Sequence, residues 1–159
     1  MISEWLVQAH PMPGRALSEW STRTVALLPL GRLLAAVRIE ERLVHAAAGS
    51  DEPNAVADYL AGRLQLGPVI HDSGNRHYYA LVPADAGRKV EQPGVRHLGV
   101  GTWVGIPCPD RTQPPGTYWS VAPRTPARLC HLADVADVAN TGRGRLAALT
   151  SVRGTEAAE

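Results

Sequence analysis

The segment Pro68-Val69-Ile70-His71-Asp72-Ser73-Gly74-Asn75-Arg76-His77-Tyr78-Tyr79-Ala80-Leu81-Val82 decides the fold. Its two ends, Pro68–His71 and Arg76–Val82, are rich in β-branched, aliphatic and aromatic residues, which suit the pleated surface of a strand. Between them stand Asp72, Ser73, Gly74 and Asn75. Asp and Asn side chains bond back to their own backbone, and Gly accepts a left-handed conformation. These turn residues therefore predict the tip of a β-hairpin. A lone hairpin is marginal in water, so the rest of the chain must supply further strands and a cover.

Downstream, Gly101–Pro107 and Thr117–Val121 read as strands on either side of the Pro-rich stretch Pro109–Gly116. Both are expected to join the hairpin in one sheet. Upstream, Thr24–Leu30 is a compact apolar run expected as a strand buried on both faces. Leu33–Ile39 is strand or helix, which periodicity does not distinguish. Helical spacing marks Pro13–Arg23 (Leu17, Trp20), Glu40–Ala48 (Leu43, Val44, Ala47) and Glu52–Leu64 (Val56, Tyr59, Leu60, Leu64). The last has Ser50 or Asp51 as its cap and Pro53 in its first turn, and its apolar face is expected to cover the sheet. Ala84–Gly94 reads as a polar loop and Leu129–Asn140 as a closing helix. Beyond Asn140, Gly and Arg without periodicity predict a flexible tail. The whole reads as a single α+β domain over residues 1–140, with a mostly antiparallel sheet and helices packed on one side of it, followed by a tail over 141–159.

At 159 residues and 45% hydrophobic, the chain suits one folded domain. Its 16 basic and 15 acidic residues give a net charge of +1, so no bulk charge draws it to nucleic acid or an anionic membrane. Apolar runs such as Val25–Leu30 fall well short of the ~20 residues of a membrane span. Met1–Trp5 has neither the basic region nor the apolar stretch of a secretion signal. Two cysteines, Cys108 and Cys130, form no Cys-x-x-Cys pattern. The expectation is a reduced, cytoplasmic protein with no cofactor.

Motifs for chemistry are sparse. The six histidines include no His-x-x-x-His or His-x-His pair, so spacing indicates no metal site; His71, Asp72 and His77 are grouped only by the hairpin. No nucleophile elbow and no phosphate-binding glycine loop occurs, and Cys108 between two prolines reads as a small, partly buried thiol. Carboxylates are not spaced two apart on the apolar strands, where alternation would pair them on one face. All basic residues but Lys89 are arginine, and Arg32, Arg38, Arg42, Arg76, Arg96 and Arg111 flank strands and turns. Any set of these that converges would bind an anion, because guanidinium bonds phosphate and carboxylate bidentately.

Ser73-Gly74-Asn75-Arg76-His77-Tyr78-Tyr79 resembles the Ser-Gly-Gly-Arg-His-Leu-Tyr-Phe stretch of the bifunctional DNA primase/polymerase N-terminal domain. The block from Gly94 to Pro107 is similar to that family's later Gly-Val-Asp-Val-Arg-Gly-Asp-Gly-Gly-Tyr-Val-Val-Ala-Pro. Thr117-Tyr118-Trp119 stands where the family often has an aromatic pair. Val25-Ala26-Leu27-Leu28-Pro29-Leu30, after Trp20, resembles its opening strand. The resemblance implies a primase/polymerase-like fold with His77 at the position that contacts nucleotide phosphate. It also marks two departures. The family's metal-binding Asp-x-Asp is missing before the hairpin, and Arg96 stands where the third-motif Asp would be. A cation there repels Mg²⁺.

The functional expectation is a catalytically silent, primase/polymerase-like module that binds a nucleotide, single-stranded nucleic acid or a protein partner, with no metal and no catalytic residue. His77, Arg76 and Arg96 would form the anion site, and Tyr79 or Trp103 a stacking face. Alternation along the strand turns Arg76 away from His77, so Arg96 of the next strand and Tyr79 are its better partners. Two alternatives are a residual metal-dependent nucleotidyl-transfer enzyme using Asp72, Asp110 and Glu40, and a pure interaction module or homodimer.

Overall fold

A computed structural model describes residues 2–84 and 90–158 of the chain. The hairpin forms as expected, with β3 (Val69–Asp72) antiparallel to β4 (His77–Pro83) and Asp72 opposite His77. Both Asp72 carboxylate oxygens hold the turn, accepting from the Asn75 backbone N–H and from Asn75 Nδ2. Around it grows a five-stranded sheet in the order β5-β2-β4-β3-β7, in which every pair is antiparallel. Its other members are β2 (Leu34–Glu40), β5 (Val95–Leu98) and β7 (Thr117–Val121). The apolar run left open between helix and strand is thus the sheet's second strand, flanked on both sides.

One strand goes elsewhere. β6 (Trp103–Pro107) pairs with β1 (Val25–Pro29) in a separate two-stranded ribbon, rather than joining the hairpin. β1 is not buried on both faces either: Ala26 and Leu28 point inward while Leu27 is half exposed. The ribbon packs across one face of the sheet together with α1 (Ile2–Val7) and α2 (Pro13–Arg23). Inward residues Leu28, Val104 and Ile106 meet Leu34, Ile70, Leu81 and Trp119 there. Covering a short ribbon this way supplies the burial that two strands alone lack.

The opposite face carries α3 (Glu41–Ala48), α4 (Pro53–Arg63) and α5 (Leu132–Ala158) over Val37, Ile39, Tyr78, Ala80 and Val82. Helices therefore lie on both sides, correcting the one-sided expectation, while the α+β character holds. Val56, Leu60 and Leu64 cover the sheet and Tyr59 packs at their edge. Glu52, rather than Ser50 or Asp51, caps α4: its carboxylate accepts from Asn54 N and Ala55 N at 3.1 and 2.7 Å. Of the polar loop expected over Ala84–Gly94, residues 85–89 lie outside the described residues.

The stretch read as a loose tail is helix as far as Ala158. Gly142 faces the Leu43 backbone of α3, Arg145 bonds the Ala46 and Ala47 carbonyls at the end of α3, and Arg143 bonds Gln92 and Pro93. A cation at those terminal carbonyls satisfies orphan acceptors and opposes the negative end of the helix dipole. Gly and Arg, which look like irregular-structure composition, are here a close-approach site and two clamps. No helix among the described residues is long and apolar enough to cross a membrane.

Both cysteines are free thiols. Cys130 is fully buried, and burial pushes its thiol up to about 12, with Asp134 adding to the shift. Thiolate is the reactive species. Thiol titration of the native protein at mildly alkaline pH is therefore expected to find at most Cys108, itself raised by burial, and to find both after denaturation. Two rapidly reacting thiols in the native state would contradict this packing.

Candidate functional site

Register places the polar residues in rows across the sheet. On the ribbon side, Arg96, Arg38, Tyr79, Ile70 and Trp119 are successive cross-strand partners from β5 to β7. The next row on the same face holds Glu40, His77, Asp72 and Thr117. The β3 and β7 end of the first row, Ile70 and Trp119, is buried under the ribbon. The other end is open, and Arg38, Glu40, His77, Glu91, Gln92 and Arg96 line a hollow of about 460 Å³.

Two cations face each other in that hollow. Arg38 and Arg96 are directly opposite on β2 and β5, an arrangement that destabilises a sheet unless something lies between or beside the charges. Among the described residues neither has a carboxylate within ion-pair distance. Glu40 is engaged by Arg42. Beside them, burial raises the Tyr79 phenol above its usual range; Asp72 adds to this and Arg38 opposes it. His77 sits edge-on to Tyr79, with ring centroids 6.4 Å apart.

Of the five residues predicted from sequence, the structure thus brings His77, Arg96 and Tyr79 to one face. Arg76 is exposed in the hairpin turn at φ 58° and lines a neighbouring hollow instead. Trp103 lies on β6, 48% exposed, edge-on to His10 at 5.4 Å between ring centroids. It belongs to another layer and offers this hollow no stacking face. Arg38 joins the set; sequence named it only among six scattered arginines, because its partnership with Arg96 depends on register. Arg111 is occupied by the Thr117 and Pro115 carbonyls of its own loop.

The helix side of the sheet holds a second polar group. Ile39, Tyr78, His71 and Tyr118 are cross-strand partners in one row. β2 runs without a loop into α3, whose first N–H, that of Glu41, bonds the Arg76 carbonyl at 2.9 Å. This pins Glu41 above the row. His71 Nε2 lies 2.8 Å from Glu41 Oε2, and His71 Nδ1 lies 2.7 Å from the Tyr118 hydroxyl. Tyr78 stacks parallel on His71 at 4.1 Å, and its hydroxyl lies 2.9 Å from His45 Nε2. Burial raises both phenols, with Tyr118 and Glu41 adding at Tyr78, and Glu41 and Glu52 at Tyr118. Both therefore stay protonated hydrogen-bonding groups. Burial also lowers His45, with Glu41 opposing, which favours the neutral ring.

Among the described residues, Glu41, His45 and His71 are the group of three whose ligand atoms come together, all within 4.8 Å of one another. Asp72, Asp110 and Glu40 do not form such a group. His-x-x-x-His spacing does not describe the cluster because its helical pair is mixed: Glu41-x-x-x-His45 puts a carboxylate and an imidazole one turn apart, a signal that the sequence does contain. No known protein family, curated protein or solved structure matches the chain.

Proposed function

We propose that the chain is a catalytically silent, primase/polymerase-like domain that binds a phosphate-bearing ligand, a nucleotide, in the hollow on the ribbon side of the sheet. The observation that carries this reading is the cross-strand pair Arg38 and Arg96, with no carboxylate partner among the described residues and with His77 alongside. A phosphate between two guanidinium groups removes their repulsion and gains charge-assisted, bidentate hydrogen bonds. The net charge of +1 favours a small ligand held in one pocket over a strand tracked along a basic surface. The silence of the domain rests on the missing Asp-x-Asp and on the cation at Arg96, and Asp72 is further tied to the hairpin turn by Asn75.

Calorimetric titration with a nucleoside triphosphate and with inorganic phosphate tests the reading. Arg38→Ala, Arg96→Ala and His77→Ala are each expected to weaken binding about ten- to hundredfold, as befits a charged hydrogen bond of roughly 1.5–3 kcal/mol. Arg96→Ala should leave the melting temperature equal or higher, since it removes a like-charge neighbour. No binding by the parent, or three variants with parental affinity, would refute the pocket. A primer-extension reaction with Mg²⁺ or Mn²⁺ is expected to yield no product. Nucleotide incorporation abolished by Asp72→Asn or Asp110→Asn would overturn catalytic silence.

A further inference from the structure

We propose that Glu41, His45 and His71 are the protein ligands of a single transition-metal ion of the Zn²⁺ class. The donor set is two imidazoles and one carboxylate, with ligand atoms mutually within 4.8 Å. That combination of nitrogen and oxygen suits Zn²⁺ and its first-row neighbours, whereas Mg²⁺ and Ca²⁺ select oxygen alone. Position comes from rigid elements: Glu41 and His45 project from one side of α3, and His71 rises beneath them from β3, a strand paired on both sides.

A second observation separates this cluster from a chance meeting of polar residues. Each imidazole is held by a tyrosine hydroxyl, His71 Nδ1 by Tyr118 at 2.7 Å and His45 Nε2 by Tyr78 at 2.9 Å. Metal-binding histidines are characteristically fixed through hydrogen bonds of this kind, which set ring orientation and tautomer. With an ion present, His71 Nε2 offers its lone pair in place of its 2.8 Å bond to Glu41, and Nδ1–H donates to the Tyr118 oxygen. Access is also available. Glu41 and His45 line a hollow of about 430 Å³ that runs to Asn75 and Arg76 in the exposed hairpin turn. Three protein ligands with an open side leave a coordination position for water or an exogenous ligand. The inference does not depend on the nucleotide reading, whose arginines lie on the opposite face of the sheet.

The test uses the full chain after chelator treatment, titrated with Zn²⁺ against a chromogenic competitor, and separately loaded with Co²⁺. One equivalent of Zn²⁺ is expected, with the Co²⁺ form showing the intense visible absorption of a four- or five-coordinate ion. Glu41→Gln and His45→Gln, both at partly exposed positions, should each lose at least a hundredfold in affinity, while Tyr118→Phe loses about ten- to hundredfold. His131→Gln, at an exposed position outside the cluster, should bind as the parent does. The parent's Co²⁺ spectrum tests coordination without any substitution. Less than one equivalent bound, the spectrum of the hydrated ion, or parental affinity in both Glu41→Gln and His45→Gln overturns the proposal. Any of these would leave the cluster as a structural hydrogen-bond chain.

Discussion

Gly142→Ala is expected to lower the free energy of unfolding by about 1–2 kcal/mol net, while Gly144→Ala, two residues on in the same helix, raises it by about 0.5–1 kcal/mol. The sign differs because the surroundings differ. A Cβ on Gly142 would fall inside contact distance of the Leu43 carbonyl oxygen, 2.8 Å from its carbon and 3.2 Å from Leu43 Cα. These are backbone atoms of α3, which cannot swing aside as a side chain would, so α3 and α5 must separate. Overpacking of this kind costs typically 1–3 kcal/mol and occasionally more. It exceeds the ~1 kcal/mol gained when a helical glycine becomes alanine. Gly144 is exposed with nothing within 4 Å, so there only the propensity gain remains. Paired denaturant titrations of the two variants measure the difference directly. Equal effects would mean that α5 does not dock on α3 through residue 142. The contact also bears on the proposed metal site, because α3 carries Glu41 and His45 and its seating sets their distance from His71.

The same pair of glycines shows where sequence reading fails. Local signals sufficed where structure is local. The turn residues Asp72 to Asn75 made the hairpin, the spacing of Val56, Leu60 and Leu64 made α4, and alternation put His77 and Tyr79 on one face. Signals failed where a tertiary partner decides. Gly142, Arg143 and Arg145 have helical meaning only against Leu43, Gln92 and the end of α3, so from sequence they resemble a frayed end. β6 looks like any sheet strand, and nothing local says that its partner is β1. The candidate site divides in the same way. Alternation points to His77 and Tyr79; the Glu41-x-x-x-His45 spacing is present in the sequence but went unread, and Arg38 beside Arg96 and His71 beneath Glu41 require the register of the sheet.

Trp119→Ala is expected to have the largest effect, a loss of about 3–5 kcal/mol in denaturant unfolding. The residue is 1% exposed and is among the largest fully buried side chains. Its indole N–H donates to the Pro107 carbonyl at 3.0 Å, while that of Trp20 donates to the adjacent Ile106 carbonyl at 2.9 Å. Two tryptophans from β7 and α2 thus hold consecutive residues of β6. The ribbon has five residues per strand and pairs with no strand of the main sheet, so these anchors and the apolar contacts beneath it keep it in place. Truncating Trp119 removes the ring that Ile70 and Leu81 pack with and takes the donor from Pro107 in one step. Trp119→Phe separates the two contributions. It keeps most of the apolar area and loses the N–H, and a buried acceptor left without its donor costs about 1–3 kcal/mol. The expected order is therefore parent, then Phe, then Ala, with a clear gap at each step. A Trp119→Ala variant within about 1 kcal/mol of the parent would mean that the ribbon is held by α2 alone. The effect should also be confined to stability. Trp119 ends the row that begins with Arg96 and Arg38 but lies three strands from Arg38, and well-separated sites act nearly additively. At denaturant concentrations where the variant is still folded, the nucleotide affinity proposed for the hollow should match the parent's.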